Sequence, residues 1–99
     1  MTQASREHWA SKDSAISLRR LCSFACVAET GSINRAARRL GVAQPTLSRQ
    51  MRELEAALGT RLLSRHERGS ELTPAGRNLY GHVERVLKCL EDLCRDFGL

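Results

Sequence analysis

Three single glycines, Gly31, Gly41 and Gly59, each follow a segment whose apolar residues recur every three or four positions. Such spacing lines one face of a helix, and a glycine just past the last apolar position supplies the left-handed residue at which a helix stops. The first segment opens at Ser17, with Leu18, Leu21, Cys22, Ala25 and Ala28 forming the stripe and Phe24 and Val27 widening it. Ser32 stands as the N-cap of a second, short helix, Ile33 to Leu40, whose Ala36, Ala37 and Leu40 make a compact inner face. A third helix begins around Gln44-Pro45, where proline in the first turn costs no hydrogen bond, and runs through Leu47, Met51, Leu54 and Leu58. Helices this short, separated by single-glycine turns, predict a tri-helical unit whose second and third members form a helix-turn-helix.

Beyond Gly59 the period changes. Arg61-Leu62-Leu63-Ser64-Arg65 and Glu71-Leu72-Thr73 read as two short extended pieces around the polar turn His66-Glu67-Arg68-Gly69-Ser70, a two-stranded β wing. Thr73-Pro74 restarts a helix, and the helical pattern then persists to the C-terminus. Along it Leu79, Val83, Val86, Leu90, Leu93 and Phe97 alternate at four and three residues, with Tyr80, Leu87 and Cys94 alongside. A helix over 74–97 would extend roughly 36 Å, at about 1.5 Å per residue, farther than a three-helix core can cover. Its near half is expected to pack on the first helix, and the remainder needs another surface, for which a second copy of the chain is the simplest partner. Leu79, Val83, Val86, Leu87, Leu90, Leu93, Cys94 and Phe97 are therefore the candidate dimerisation residues.

Residues 1–16, MTQASREHWASKDSAI, hold no sustained period and read as a flexible tail, with Trp9 as its one anchor candidate. The functional alternative is an arm that follows a DNA groove, with Arg6 and Lys12 as its cations. The organisation expected is mainly α: a tail over 1–16, a winged helix-turn-helix over 17–73, and a long linker or dimerisation helix over 74–99.

Ninety-nine residues make one small domain and exclude a barrel-sized enzyme. Sixteen basic against eleven acidic residues give +5, divided as +2 −2 over 1–16, +10 −4 over 17–69 and +4 −5 over 70–99. The helix-turn-helix and wing thus carry the whole surplus, which favours an anionic partner. Four aromatics, Trp9, Phe24, Tyr80 and Phe97, are too few for a sheet that stacks single-stranded bases. No apolar run reaches the roughly 18 residues that span a bilayer, and residues 1–16 lack the hydrophobic core of a secretory signal. A cytoplasmic, nucleoid-associated protein with no membrane partner is expected. Cys22 and Cys26, like Cys89 and Cys94, are spaced unlike the close pairs of a zinc knuckle, so small buried hydrophobes are expected and no metal site.

Residues 33–52, INRAARRLGVAQPTLSRQMR, concentrate the chemistry. The small Ala37 and Gly41 let two helices cross closely. With Leu47, Met51 and Leu54 turned inward, the third helix is left to present Gln44, Thr46 and Ser48, then Arg49, Arg52 and Glu53. Glutamine can bond two positions of an adenine edge, arginine two of a guanine edge, and threonine offers a methyl group to thymine. Gln44, Pro45, Thr46, Ser48 and Arg49 are the candidate base readers, because the first turns of a recognition helix are where base edges are met. Ser32, Asn34, Arg35 and Arg52, with Arg65 and Arg68 of the wing, are the candidate backbone contacts, supported by Arg38 and Arg39. Two other readings compete. A protein-interaction module whose basic face is incidental predicts that neutralising Arg49 leaves function intact. An enzyme would rest on His66 beside Glu67 or on Cys22 near Cys26; without a triad-like set or a phosphate-cradling glycine loop, no catalytic residue is assigned.

From residue 18 to about 86 the chain resembles the N-terminal DNA-binding domain of LysR-type transcriptional regulators, through LRRLCSFACVAETGSINRAARRLGVAQPTLSRQMRELEAALGTRLLSR and LTPAG. The most specific string is Ala43-Gln44-Pro45-Thr46-Leu47-Ser48-Arg49-Gln50, followed by Leu54-Glu55 and Leu58-Gly59. The resemblance implies a third helix in the major groove of promoter DNA, a wing near the minor groove or backbone, and a linker helix that pairs protomers. It implies DNA contacts at Gln44, Pro45, Ser48 and Arg49, and wing contacts at Arg65 and Arg68. It further implies an interrupted inverted repeat as the target, a homodimer that becomes a tetramer where an effector domain is present, and a small-molecule effector for a full-length member. No cofactor is expected within these residues.

Three departures from the family pattern stand out. Ala43 occupies a position where many members have serine, removing a possible cap or phosphate hydroxyl. Glu67 and Glu71 sit in the wing where members often have glycine or a basic residue. The sequence includes no effector domain, so no effector is named, and an excised domain or a truncated regulator is the expectation.

Overall fold

The computed structural model describes residues 6–10 and 14–99. Its elements in chain order are α1 (Arg6–Ala10), α2 (Leu18–Thr30), α3 (Ile33–Leu40), α4 (Gln44–Leu58), the strands β1 (Leu63–His66) and β2 (Gly69–Leu72), and α5 (Pro74–Asp96). A short helix, α1, thus occupies part of what the composition presents as a tail. All of its residues are exposed, Trp9 included, and the His8 and Trp9 rings meet edge to face. Lys12, the other cation of the suggested arm, lies outside the described residues.

The helices α2, α3 and α5 start where a side chain can satisfy orphan backbone donors. Ser17 Oγ accepts from the Arg20 N–H at 3.2 Å, Ser32 Oγ from the Arg35 N–H at 3.2 Å, and Thr73 Oγ1 from the Gly76 N–H at 3.0 Å. Gly31, Gly41 and Gly59 close α2, α3 and α4 at φ of 68°, 69° and 70°. Only α4 lacks a side-chain cap among these helices, because Ala43 has no hydroxyl; Pro45 in its first turn removes one of the donors instead.

The core is built on Phe24, Val27, Leu47, Met51, Leu54, Leu62 and Val83, all fully buried, with Ile33, Ala36 and Ala37 beside them. On α2 the expected stripe is displaced. Phe24 and Val27 point to the centre of the core, while Leu18 is exposed and Cys22 half-buried, because the large aromatic takes the position of closest packing. Leu40 and Leu58 are likewise exposed, each being the last residue of its helix beside the glycine that turns the chain away. Ile33 takes the inner place expected of Leu40 on α3. The four cysteines are free, and none is fully buried: Cys22, Cys26 and Cys94 lie on helix flanks and Cys89 is exposed.

The strands pair antiparallel, Leu63 opposite Leu72 and His66 opposite Gly69, around a turn at Glu67 and Arg68. Two ties fix this wing to the helices. Glu55 Oε2 accepts the N–H groups of Leu62 and Leu63 at 2.8 and 3.2 Å, charge-assisted bonds that anchor the wing's base to α4. The Ser70 N–H donates to the Gly31 carbonyl at 2.9 Å, and a Cβ at Gly69, whose φ is 137°, would collide with that same carbonyl. Glycine is therefore required at 69 both by conformation and by the approach of α2.

The first half of α5 closes the domain. Thr73 Oγ1 donates to the Arg61 carbonyl at 2.6 Å, Val83 is 1% exposed, and the Tyr80 hydroxyl donates to Glu29 Oε2 of α2 at 2.8 Å. Val83 therefore belongs to the core of its own chain and is not free to meet a partner, contrary to its place among the dimerisation candidates. Leu79 and Leu87 are half-buried against the same core, and Cys94 is half-buried farther along the helix. Val86, Leu90, Leu93 and Phe97 are exposed, the last at 77%. Among the described residues no helix is long and apolar enough to cross a membrane, and no group of three His, Cys, Asp or Glu side chains could hold a metal ion.

Candidate nucleic-acid interface

The polar face of α4 opens with Gln44 and Pro45, both exposed, and Thr46, half-buried. Ser48 departs from expectation: it is only 5% exposed, and its Oγ accepts a hydrogen bond from Gln44 Nε2 at 2.8 Å. One helical step of about 100° from Leu47, and three residues before Met51, position 48 is drawn under the buried face. Arg49 projects outward, its side chain 62% exposed, with Nε 3.5 Å from Glu53 Oε1. That pairing runs through Nε and leaves the terminal Nη1 and Nη2 for other acceptors. The second oxygen of Glu53 holds Arg20 of α2 at 2.7 Å, and Arg20 also donates to the Ser14 carbonyl at 2.7 Å. Arg20 is thus committed to joining α2 to α4.

Between the starts of α3 and α4 and the wing lies a cleft of about 310 Å³, which brings together Ser32, Asn34, Gln44, Arg65 and Arg68. These residues lie far apart in sequence, and the ties of the wing to Glu55 and Gly31 are what bring them to one place. A second groove, of about 440 Å³, is lined by Arg52, Glu55, Arg61 and Arg65. Arg61 was not among the expected site residues, although the extended piece read over Arg61–Arg65 puts positions 61 and 65 on the same side. Its side chain is 73% exposed, with Nε 3.5 Å from Glu55 Oε2 and Nη2 donating to the Leu63 carbonyl at 3.2 Å. Pro45, Thr46 and Arg49 line neither depression, and Arg35, Arg38 and Arg39 stand exposed on α3.

The wing tip is ordered by His66. Its Nδ1 accepts from the Arg68 N–H at 3.1 Å, and its Nε2 lies 3.6 Å from Glu71 Oε1. Of the two wing carboxylates, Glu71 thus faces His66 within the hairpin, while Glu67 lines the cleft with Arg65 and Arg68. The surface as a whole presents polar groups at the first turn of one helix, flanked on both sides by cations.

The model of the bacterial regulatory helix-turn-helix proteins of the lysR family matches residues 18–77, more than half of the sequence. The chain belongs to the lysR family. Among its lysR-type relatives, the small neutral protease regulatory protein of Streptomyces coelicolor is 43% identical over 81 residues, covering 82% of this chain and 25% of that protein. The transcriptional regulator TcbR of Pseudomonas sp. strain P51 is 49% identical over 70 residues, 71% of this chain and 24% of that protein. The chain spans about a quarter of the length of these curated relatives. Among solved structures, the DNA-binding domain of CbnR in complex with DNA is 41% identical and superposes with a TM-score of 0.74, covering 85% of this chain and all of that one. The DNA-binding domain of BenM with catB site 1 DNA is 36% identical with a TM-score of 0.78, covering 84% of this chain and 93% of that one. The lysR fold of this chain is therefore the winged helix-turn-helix, and the family's members and these relatives are regulators of transcription.

Proposed function

We propose that the chain is the DNA-reading part of a lysR-type transcriptional regulator and binds double-stranded promoter DNA sequence-specifically. The observation that carries this reading is the cleft that gathers Ser32, Asn34 and Gln44 from two helix starts with Arg65 and Arg68 from the wing. It is supported by the likeness to CbnR and BenM domains solved with DNA. In this reading α4 enters the major groove, where Gln44, Pro45, Thr46 and Arg49 meet base edges. Ser32, Asn34, Arg35, Arg52, Arg65 and Arg68 meet phosphates or the minor groove.

Arg61 joins them for a geometric reason. A duplex that offers its major groove to α4 and the adjacent minor groove to the wing must pass a sugar–phosphate strand between the two. The groove there holds Arg52, Arg61 and Arg65 against the single carboxylate of Glu55.

Two copies paired along the exposed stripe of α5 would present their α4 helices to the halves of an inverted repeat, separated by roughly 34 Å per helical turn. A longer chain bearing an effector domain would add a small-molecule effector and tetramer assembly. Work on promoter DNA places the protein in the cytoplasm with the nucleoid.

The test is selection of bound duplexes from a random pool at near-physiological salt. The expected result is enrichment of an inverted repeat, on which Arg49→Ala costs about 1–3 kcal/mol and relaxes one base pair. A folded protein that retains no DNA even at low salt would overturn the reading in favour of a protein-interaction module.

A further inference from the structure

We infer that Ser48 is a positioning residue that does not reach DNA itself but anchors the side chain of Gln44, so that a hydroxyl beneath the recognition helix sharpens the base discrimination of Gln44. This rests on the DNA-reading role of α4 proposed above. The two side chains differ sharply in setting: Gln44 is exposed in the first turn of α4 and lines the cleft, while Ser48, one turn on, is 5% exposed. Between them runs the 2.8 Å hydrogen bond from Gln44 Nε2 to Ser48 Oγ.

An unanchored surface glutamine explores many rotamers, and its amide can turn over to exchange donor for acceptor. The bond to Ser48 removes the rotamer freedom. In this orientation it uses one of the two Nε2 hydrogens and leaves the other hydrogen with Oε1, one donor and one acceptor in that order. That order complements adenine, which offers an N6 donor beside its N7 acceptor. Turned over, the amide would accept from the same hydroxyl through Oε1, so the bond fixes where the amide stands and the base edge it meets selects its orientation. Its two neighbours in sequence, Ala43 and Pro45, carry no side-chain hydrogen-bonding group.

The experiment measures affinity on the selected operator and on duplexes carrying each base substitution in one half-site. Ser48→Ala is expected to reduce discrimination about five- to tenfold at the single pair read by Gln44, the scale of one neutral hydrogen bond, with the salt dependence unchanged. Ser48→Thr, which keeps the hydroxyl, should restore it. In a Gln44→Ala background Ser48→Ala should have no further effect, because the two residues act as one unit.

An equal loss in that background would assign Ser48 a DNA contact of its own and overturn the inference. So would a loss spread evenly over all sequences, which marks a role in the fold that thermal unfolding of Ser48→Ala would register. Failure of the unmodified chain to enrich any sequence would overturn the DNA-reading assignment itself. Enrichment with discrimination untouched by Ser48→Ala would overturn the positioning role alone.

Discussion

The two halves of α5 share one apolar period and have opposite surroundings. Over residues 74–83 the helix is stitched down: Gly76 lies against the Leu62 backbone, Tyr80 bonds Glu29, and Val83 is lost from solvent. Over 86–97 the same spacing leaves Val86, Leu90, Leu93 and Phe97 exposed. Length accounts for the difference. The 13 residues of α2 span about 20 Å and the 23 of α5 about 34 Å, so the supporting helix runs out before the apolar face does. A periodic stripe reports that a face is apolar; the reach of its neighbours decides what covers it.

The largest effect should follow from Gly76→Ala. The added methyl would meet the Leu62 carbonyl, a backbone atom that cannot swing aside, so a loss of about 3 kcal/mol, the upper end of overpacking costs, is expected in denaturant unfolding. Near wild-type stability would mean that α5 is not seated against the wing as described. Next comes Val83→Ala, at about 2–3 kcal/mol for a buried side chain, against less than about 0.5 kcal/mol for Leu90→Ala measured in the dissociated chain. Equal costs would erase the contrast between the halves. Leu90→Glu sharpens it from the other side, since it should spare the fold yet abolish self-association in sedimentation if α5 pairs protomers. Gly81→Ala reverses the sign seen at Gly76. A methyl there meets nothing closer than Arg85 Nη1 at 3.9 Å, and replacing a helix-interior glycine should stabilise by about 0.5–1 kcal/mol.

What the residues announced, and what they concealed, follows the same division between local and long-range causes. Helix starts and stops at Ser17, Gly31, Ser32, Gly41, Gly59 and Thr73 were legible because caps act on the backbone beside them. The face each helix buries was less so. The burial of Phe24 and Val27 ahead of Leu18, and of Ser48 ahead of a place on the polar face, depends on rotations of tens of degrees that the partner helices impose. The ties from Glu55 to Leu62 and Leu63, and from Ser70 to Gly31, were invisible for a different reason: each joins a side chain or carbonyl to backbone N–H groups, which every sequence offers equally. Since those ties bring Arg65 and Arg68 up to Gln44, the candidate reading residues could be named from the sequence while the cleft that unites them could not.

The smallest effect separates a tether from simple packing in the near half of α5. Tyr80 is the one tyrosine of the chain, so tyrosinate absorbance reports on it alone. Its hydrogen bond to Glu29, then burial, then the negative charges of Glu29 and Glu84, push its pKa up from 10.0 to about 12. The fold therefore favours the neutral phenol. The stabilisation is fully present below the unfolded value near 10 and is lost as pH climbs from there toward 12. Because the group is largely solvated, the change in stability over that window should be small, and the titration is the sharper readout. The absorbance midpoint is expected near 12 in the folded chain and nearer 10 in Glu29→Ala, where burial and Glu84 remain to raise it. A midpoint near 10 in the unmodified protein would show that the tether opens in solution. Val83 and the close approach at Gly76 would then hold α5 to α2 and the wing by packing alone.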